Sequence, residues 1–182
     1  MLFDDDIQIR GRHASYLKAL SELRGNASEE DKNRFSNFKL FTDYISVYMV
    51  APIIGLLYGK KSAYDNEKDS AGIMLAAISK NRAHLKYIYR LVILSDTTLN
   101  LSDEDKINMA FREESNDESV ARGMELYNAY FCGGLEILYQ EFVERCTTDE
   151  DYIERLFEFV SEFKEEQKID DVALEIGSLL DK

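Results

Sequence analysis

Apolar residues recur at helical spacing along most of this chain, and one stretch stands apart from the rest. From Phe38 to Ser62 the sequence reads FKLFTDYISVYMVAPIIGLLYGKKS. Its Phe38, Phe41, Ile45, Tyr48, Met49, Pro52, Ile53, Leu56 and Leu57 spread around much of a helix rather than along one stripe. A helix that is apolar on nearly every side is either enclosed by other elements or spans a membrane. A span needs roughly 20 apolar residues, whereas the run Tyr44–Tyr58 is shorter and holds Ser46, Pro52 and Gly55. The stretch therefore predicts a buried central helix, kinked or interrupted near its proline. Gly59 ends it, and Lys60 and Lys61 follow where cations suit a helix C-terminus.

The other segments predict amphipathic helices packed around this one. Ile7–Arg10 alternates like a strand or an extended arm, within a first segment, 1–12, set off by Gly11. A first helix is expected over His13–Arg24, with Tyr16, Leu17, Leu20 and Leu23 on one face and Gly25-Asn26 as its stop. Ser28-Glu29-Glu30-Asp31 reads as another helix start. Ser62–Ser70 is a polar connection, and Ala71–Ile78 is apolar but too short for periodicity to decide between strand and helix. Lys80–Ser95 follows as a helix burying Leu85, Ile88, Leu91, Val92 and Ser95. Ser102 with Asp105 forms a capping-box-like start to the next, which carries Ile107, Met109, Ala110 and Phe111.

A long helical pattern then runs from Val120 through Met124, Tyr127, Phe131, Leu135, Leu138 and Phe142 to Cys146. Gly133-Gly134 interrupts it and predicts a kink, a break or close contact with another helix, since two such glycines cost a helix roughly 2 kcal/mol relative to alanine. Thr147-Thr148 open a further helix with Ile153, Leu156, Phe157, Val160 and Phe163 as its buried stripe. A peripheral C-terminal segment, 166–182, includes the amphipathic Asp170–Leu180. The expectation is one all-α domain over residues 1–182 with about six or seven helices around the central one.

Charge adds an asymmetry that the hydrophobic pattern does not show. The chain carries a net −13, which argues against nonspecific nucleic-acid binding by its whole surface. Residues 1–91 hold 14 Lys and Arg against 11 Asp and Glu, while residues 92–182 hold 8 against 24. The second half is therefore strongly acidic, either as a solvated face or as a separate contact surface. The N-terminus, Met1-Leu2-Phe3-Asp4-Asp5-Asp6, has no long apolar run and reads as no signal peptide. The two cysteines, Cys132 and Cys146, fall on apolar helical positions, which suits two reduced thiols in a cytoplasm.

Candidate chemistry is sparse. Gly55–Ser62 imitates a phosphate-binding loop, but three residues separate its glycines and a second lysine displaces Ser62. His13 and His84 are the only imidazoles, with no Cys or acid at metal-ligand spacing. The acid pairs Glu113-Glu114 and Glu165-Glu166 lack the Glu-x-x-His partners of a di-metal bundle. No catalytic, metal or cofactor site is expected, although a site pairing Cys132 or Cys146 with His84 would revive an enzyme reading. The densest basic cluster is Lys60, Lys61, Lys80, Arg82, Lys86 and Arg90, which predicts a nucleic-acid or acidic-partner surface.

Two stretches, FKLFTDYISVYMVAPIIGLLYGKKS and Glu125–Leu138 (ELYNAYFCGGLEIL), resemble small helical proteins associated with bacterial Dnd-type DNA phosphorothioation and phage-defence systems. Tyr87–Asp96 and Asn108–Arg112 (NMAFR) occur between them in a compatible order, so the resemblance spans Arg34–Cys146. It implies a cytoplasmic, non-catalytic accessory of a DNA modification or restriction system, acting through other defence proteins and through DNA, with self-association open. It supplies no catalytic residues. The alternative drawn from charge is an acidic DNA mimic that inhibits a DNA-binding enzyme.

Overall fold

The computed structural model describes residues 2–21, 39–65, 67–113 and 116–167. Within them, helices α1 (Gly11–Leu20), α2 (Tyr44–Leu57), α3 (Leu75–Ser95), α4 (Asp103–Phe111), α5 (Asp117–Tyr139) and α6 (Asp149–Gln167) enclose one apolar core. A two-stranded ribbon of β1 (Ile7–Arg10) and β2 (Ser70–Ile73) completes an otherwise all-α architecture.

The central helix of the sequence pattern is α2. Asp43 caps it, accepting from the Ser46 amide at 3.0 Å and the Ser46 hydroxyl at 2.5 Å. Ile45, Val47, Tyr48, Ala51, Pro52, Ile54 and Gly55 are buried along one half of the helix, and Met49, Val50, Ile53 and Leu56 on the other half are partly buried. Of the two alternatives expected at Pro52, a kink or an interruption, the interruption is not realised, since α2 runs through it. A proline inside a helix leaves the carbonyl four residues earlier without its N–H partner. Here that carbonyl belongs to Tyr48, and the Tyr127 hydroxyl of α5 donates to it at 3.0 Å.

Helices α2 and α5 pack more extensively on each other than any other pair among the described residues. Of the three readings of Gly133-Gly134, close contact is the one realised, since α5 runs unbroken through both. A Cβ on Gly134 would lie 1.8 Å from the Ala51 carbonyl oxygen, and one on Gly55 would lie 2.1 Å from that of Tyr130. The two backbones meet where neither carries a side chain.

The undecided short segments prove to be partners. β1 pairs antiparallel with β2, with Ile7 opposite Ile73 and Arg10 opposite Ser70. Ala71–Ile78 thus divides, its first residues in β2 and its last in α3. Ahead of the ribbon, Leu2 and Phe3 are buried, with the Phe3 ring 5.7 Å from that of Tyr127. Gly11 takes a φ of 61° and donates to the Asp69 carbonyl at 2.8 Å, turning the chain from β1 into α1. Helix α1 ends at Leu20 rather than Arg24. Ser21 is extended, its hydroxyl donates to the Leu17 carbonyl at 2.5 Å, and it bridges to Phe41. The stop at Gly25-Asn26, the helix start at Ser28, and Asp170–Leu180 lie outside the described residues.

Helix α3 starts earlier than Lys80, with its first turn capped by Asp6, which accepts from the Leu75 amide at 2.6 Å. Its buried side is Leu85, Ile88, Tyr89, Val92 and Ile93, while Ser95 is exposed. Ser102 caps α4 as expected, accepting from the Asp105 amide at 3.2 Å.

The stripe predicted for α6 is misplaced. Tyr152 and Phe159 are the buried residues, whereas Ile153, Phe157 and Val160 are 58%, 75% and 45% exposed. The cause lies before the helix, in a π-helical turn at Gln140–Glu144 that continues α5. This wider turn leaves Phe142 buried, its ring 5.5 Å from Tyr152 and 5.3 Å from Phe159. Glu141 meanwhile binds Arg145 at 2.6 Å and Arg155 of α6 at 2.7 Å. The docking therefore selects the Tyr152–Phe159 side.

Candidate functional site

The end of α2 is where the chain concentrates its buried charge. Gly59, with a φ of 60°, closes the helix, and the Lys60 amide donates back to the Gly55 carbonyl at 2.8 Å. This turn sends two consecutive lysines to two different carboxylates. The path is tight, because a Cβ on Gly133 would sit 2.0 Å from the Lys60 carbonyl oxygen.

Lys61 meets Asp96, the first residue after α3, at 2.7 Å. Asp96 is fully buried. It also accepts from the Tyr130 hydroxyl at 2.6 Å and from the Leu99 and Thr98 amides at 2.6 and 2.8 Å. The Lys61 ammonium additionally donates to the Thr98 hydroxyl and lies 4.7 Å from the centre of the Tyr130 ring. Burial alone would raise the Asp96 carboxyl, but Lys61, Tyr130, the Leu99 amide and the Thr98 hydroxyl hold it well below the usual carboxylate range. A buried charge with this many donors is a structural anchor.

Lys60 takes Glu136 of α5, at 3.3 Å. Glu136 also accepts from the Ser62 hydroxyl at 2.6 Å, from Arg12 of α1 at 3.0 Å and from His13 Nε2 at 3.3 Å. Burial opposes its charge, yet Ser62, Lys60 and His13 leave its carboxyl lowered. His13 is fully buried, and burial outweighs Glu136 and lowers its pKa. The neutral ring therefore carries its proton on Nε2, facing Glu136, and Nδ1 has no partner among the described residues.

The six basic residues singled out from the sequence are engaged in different ways. Lys60 and Lys61 are committed to Glu136 and Asp96. Arg82 pairs with Asp4 at 3.0 Å. Arg90 donates to the Ala110 carbonyl at 3.2 Å and lies over the Phe111 ring. Lys80 is exposed, and Lys86 is half-buried.

Nor does a thiol–imidazole pair assemble. Cys132 is fully buried and its thiol is pushed up to about 12 by burial and by Glu136. The Cys146 thiol is likewise raised by burial and donates to the Glu141 carbonyl at 3.4 Å. His84 is exposed on α3, with no hydrogen bond to either thiol. Thiols held this way are poor nucleophiles. Among the described residues no helix is long and apolar enough to cross a membrane.

Sequence reasoning missed Asp96, Glu136 and His13 as the polar residues that matter. Glu136 had a legible signal: it is the one charge within Ala129–Tyr139, AYFCGGLEILY, where the apolar pattern calls for none. Asp96 had no such mark, because an aspartate after a helix ordinarily faces water.

Large apolar side chains also stand at the surface. Besides the α6 stripe, Tyr87 of α3 is 69% exposed and Phe111 of α4 is 50% exposed. Compared with protein-family models, curated proteins and solved structures, the chain matches none of them.

Proposed function

We propose that this chain is a non-catalytic adaptor of a bacterial DNA modification–restriction or phage-defence system, working in the cytoplasm chiefly through contacts with other proteins. The observation that carries the reading is the display of large apolar side chains on helix faces, Phe157 and Tyr87 foremost. The basic residues that would serve a DNA-contact role are in large part spent on internal pairing, which shifts the weight from DNA to protein partners. The defence context rests on the resemblance of Phe38–Ser62 and Glu125–Leu138 to proteins of such systems.

Direct DNA contact is kept as a secondary role for the exposed Lys80. Its test is a salt titration of duplex binding by wild type and by the variant Lys80→Glu. Equal affinities at every salt concentration remove that role.

The adaptor reading is tested by tagging the chain in its native host, crosslinking, and identifying the bound proteins alongside a phage-plating assay of the gene deletion. The expected result is crosslinking to DNA modification or restriction subunits, with restriction of phage lost on deletion. Unaltered phage plating with no such subunit bound would refute it. Displacement of DNA from a purified restriction enzyme by this chain alone would instead favour the DNA-mimic alternative.

A further inference from the structure

Ile153, Phe157 and Val160 stand at positions i, i+4 and i+7 of α6, so they share one face. All three are exposed, and among the described residues Phe157 is the most exposed of the large apolar side chains at 75%. The stripe adjoins the core through the half-buried Leu156. A face of this kind is what a second helix covers when it packs alongside.

The charge around the stripe selects the occupant. Helix α6 carries eight Asp and Glu against Arg155 and Lys164. Arg155 is turned inward onto Glu141, Glu158 and Glu162. Glu150, Glu154 and Glu165 are exposed, and helical spacing sets them along one edge of the stripe, with Lys164 at its C-terminal end. A second copy packed through α6 would bring two such acidic helices together. The segment that follows α6, residues 168–182, is itself acidic, with Asp170, Asp171, Glu175 and Asp181 against Lys168 and Lys182. Nucleic acid and anionic lipid carry the same sign. Charge complementarity leaves a cationic partner.

We propose that the Ile153–Phe157–Val160 face of α6 docks a basic amphipathic helix of a partner protein. Apolar residues of that helix cover Phe157 and its neighbours, and Lys or Arg on its flank meets Glu150, Glu154 and Glu165. The proposal rests on the adaptor reading and gives it a surface and a partner chemistry.

The test uses the full chain and a fluorescein-labelled amphipathic helical peptide of leucine and lysine, read by anisotropy at physiological ionic strength. A leucine–glutamate peptide of the same pattern is the control. Wild type is expected to bind the lysine peptide and not the glutamate one. The variant Phe157→Ser, which alters no charge, is expected to bind at least tenfold more weakly while its melting temperature stays near wild type. Equal binding by Phe157→Ser would show attraction by charge alone and overturn the proposal. So would a failure of the full chain to bind the peptide, as expected if residues 168–182 already cover the face. A dimer abolished by Phe157→Ser would assign the face to a second copy and overturn it as well. Failure of wild type to bind the peptide, with its crosslinking to restriction subunits intact, would sink this surface and leave the adaptor reading standing; peptide binding without such crosslinking would do the reverse.

Discussion

The Tyr127 hydroxyl donates to the Tyr48 carbonyl at 3.0 Å, in the place of the N–H that Pro52 cannot supply. Tyr127 is fully buried, so no water substitutes for it. The contact satisfies the gap in α2 from the neighbouring helix and ties the two most intimately packed helices together.

The variant Tyr127→Phe should therefore lose about 1–3 kcal/mol, the cost of leaving a buried carbonyl unsatisfied. In a Pro52→Ala background the restored amide can serve Tyr48 instead, so the same substitution should cost markedly less. Urea unfolding of the four proteins measures the coupling. Strictly additive effects would contradict this account of Pro52.

The glycines divide by what surrounds them. Gly134→Ala places a methyl 1.8 Å from the Ala51 carbonyl oxygen. Neither backbone can yield without separating α2 from α5, so a loss of about 3 kcal/mol is expected. Gly59→Ala meets nothing within 4 Å, but it must hold a φ of 60°, which costs about 1 kcal/mol. Thermal unfolding should rank Gly134→Ala well below Gly59→Ala.

Lys60 and Lys61 are adjacent yet should respond very differently to loss of charge. Lys61→Met leaves the fully buried Asp96 without its cation and should cost about 3 kcal/mol or more. Lys60→Met leaves Glu136 with Arg12, Ser62 and His13, and should cost under about 1 kcal/mol. Comparable denaturation midpoints for the two variants would show that the anchor is not at Asp96.

Acid should destabilise the fold in two stages. His13 has its pKa lowered from 6.5 in the folded chain, so the unfolded chain binds the extra proton first as pH falls through that value. Stability declines from there downward. Asp96 and Glu136 are also lowered, from 3.8 and 4.5. Their contribution is complete above those values and is lost as pH falls through them towards the folded pKa values. Denaturant titrations between pH 7.5 and 3.5 should show both declines, and His13→Gln should remove the upper one alone.

The central, largely buried α2, the cap at Ser102, the start of α6 at Thr148, whose hydroxyl accepts from the Asp151 amide at 3.1 Å, and the all-α class were readable from residue order, because each depends on local spacing and on groups a few residues apart. The position of the acids in the second half was readable too, but only as charge. Ile7–Arg10 and Ala71–Ile78 stayed ambiguous because each is too short to specify a state; pairing between them, across some sixty residues, makes both β1 and β2. The exposed face of α6 was assigned to the core because its 3.6-residue pattern offers two adjacent apolar stripes, and the buried one is selected by Phe142, by Arg155 and by the Tyr58 ring, which stacks 6.2 Å from that of Phe159. The lysines after Gly59 looked like a surface because lysine usually is one. Asp96 and Glu136, 35 and 76 residues beyond Lys61 and Lys60, pair with them and leave both half-buried. Local periodicity specifies helices and their apolar sides, whereas which charges meet depends on long-range packing that spacing along the chain does not encode.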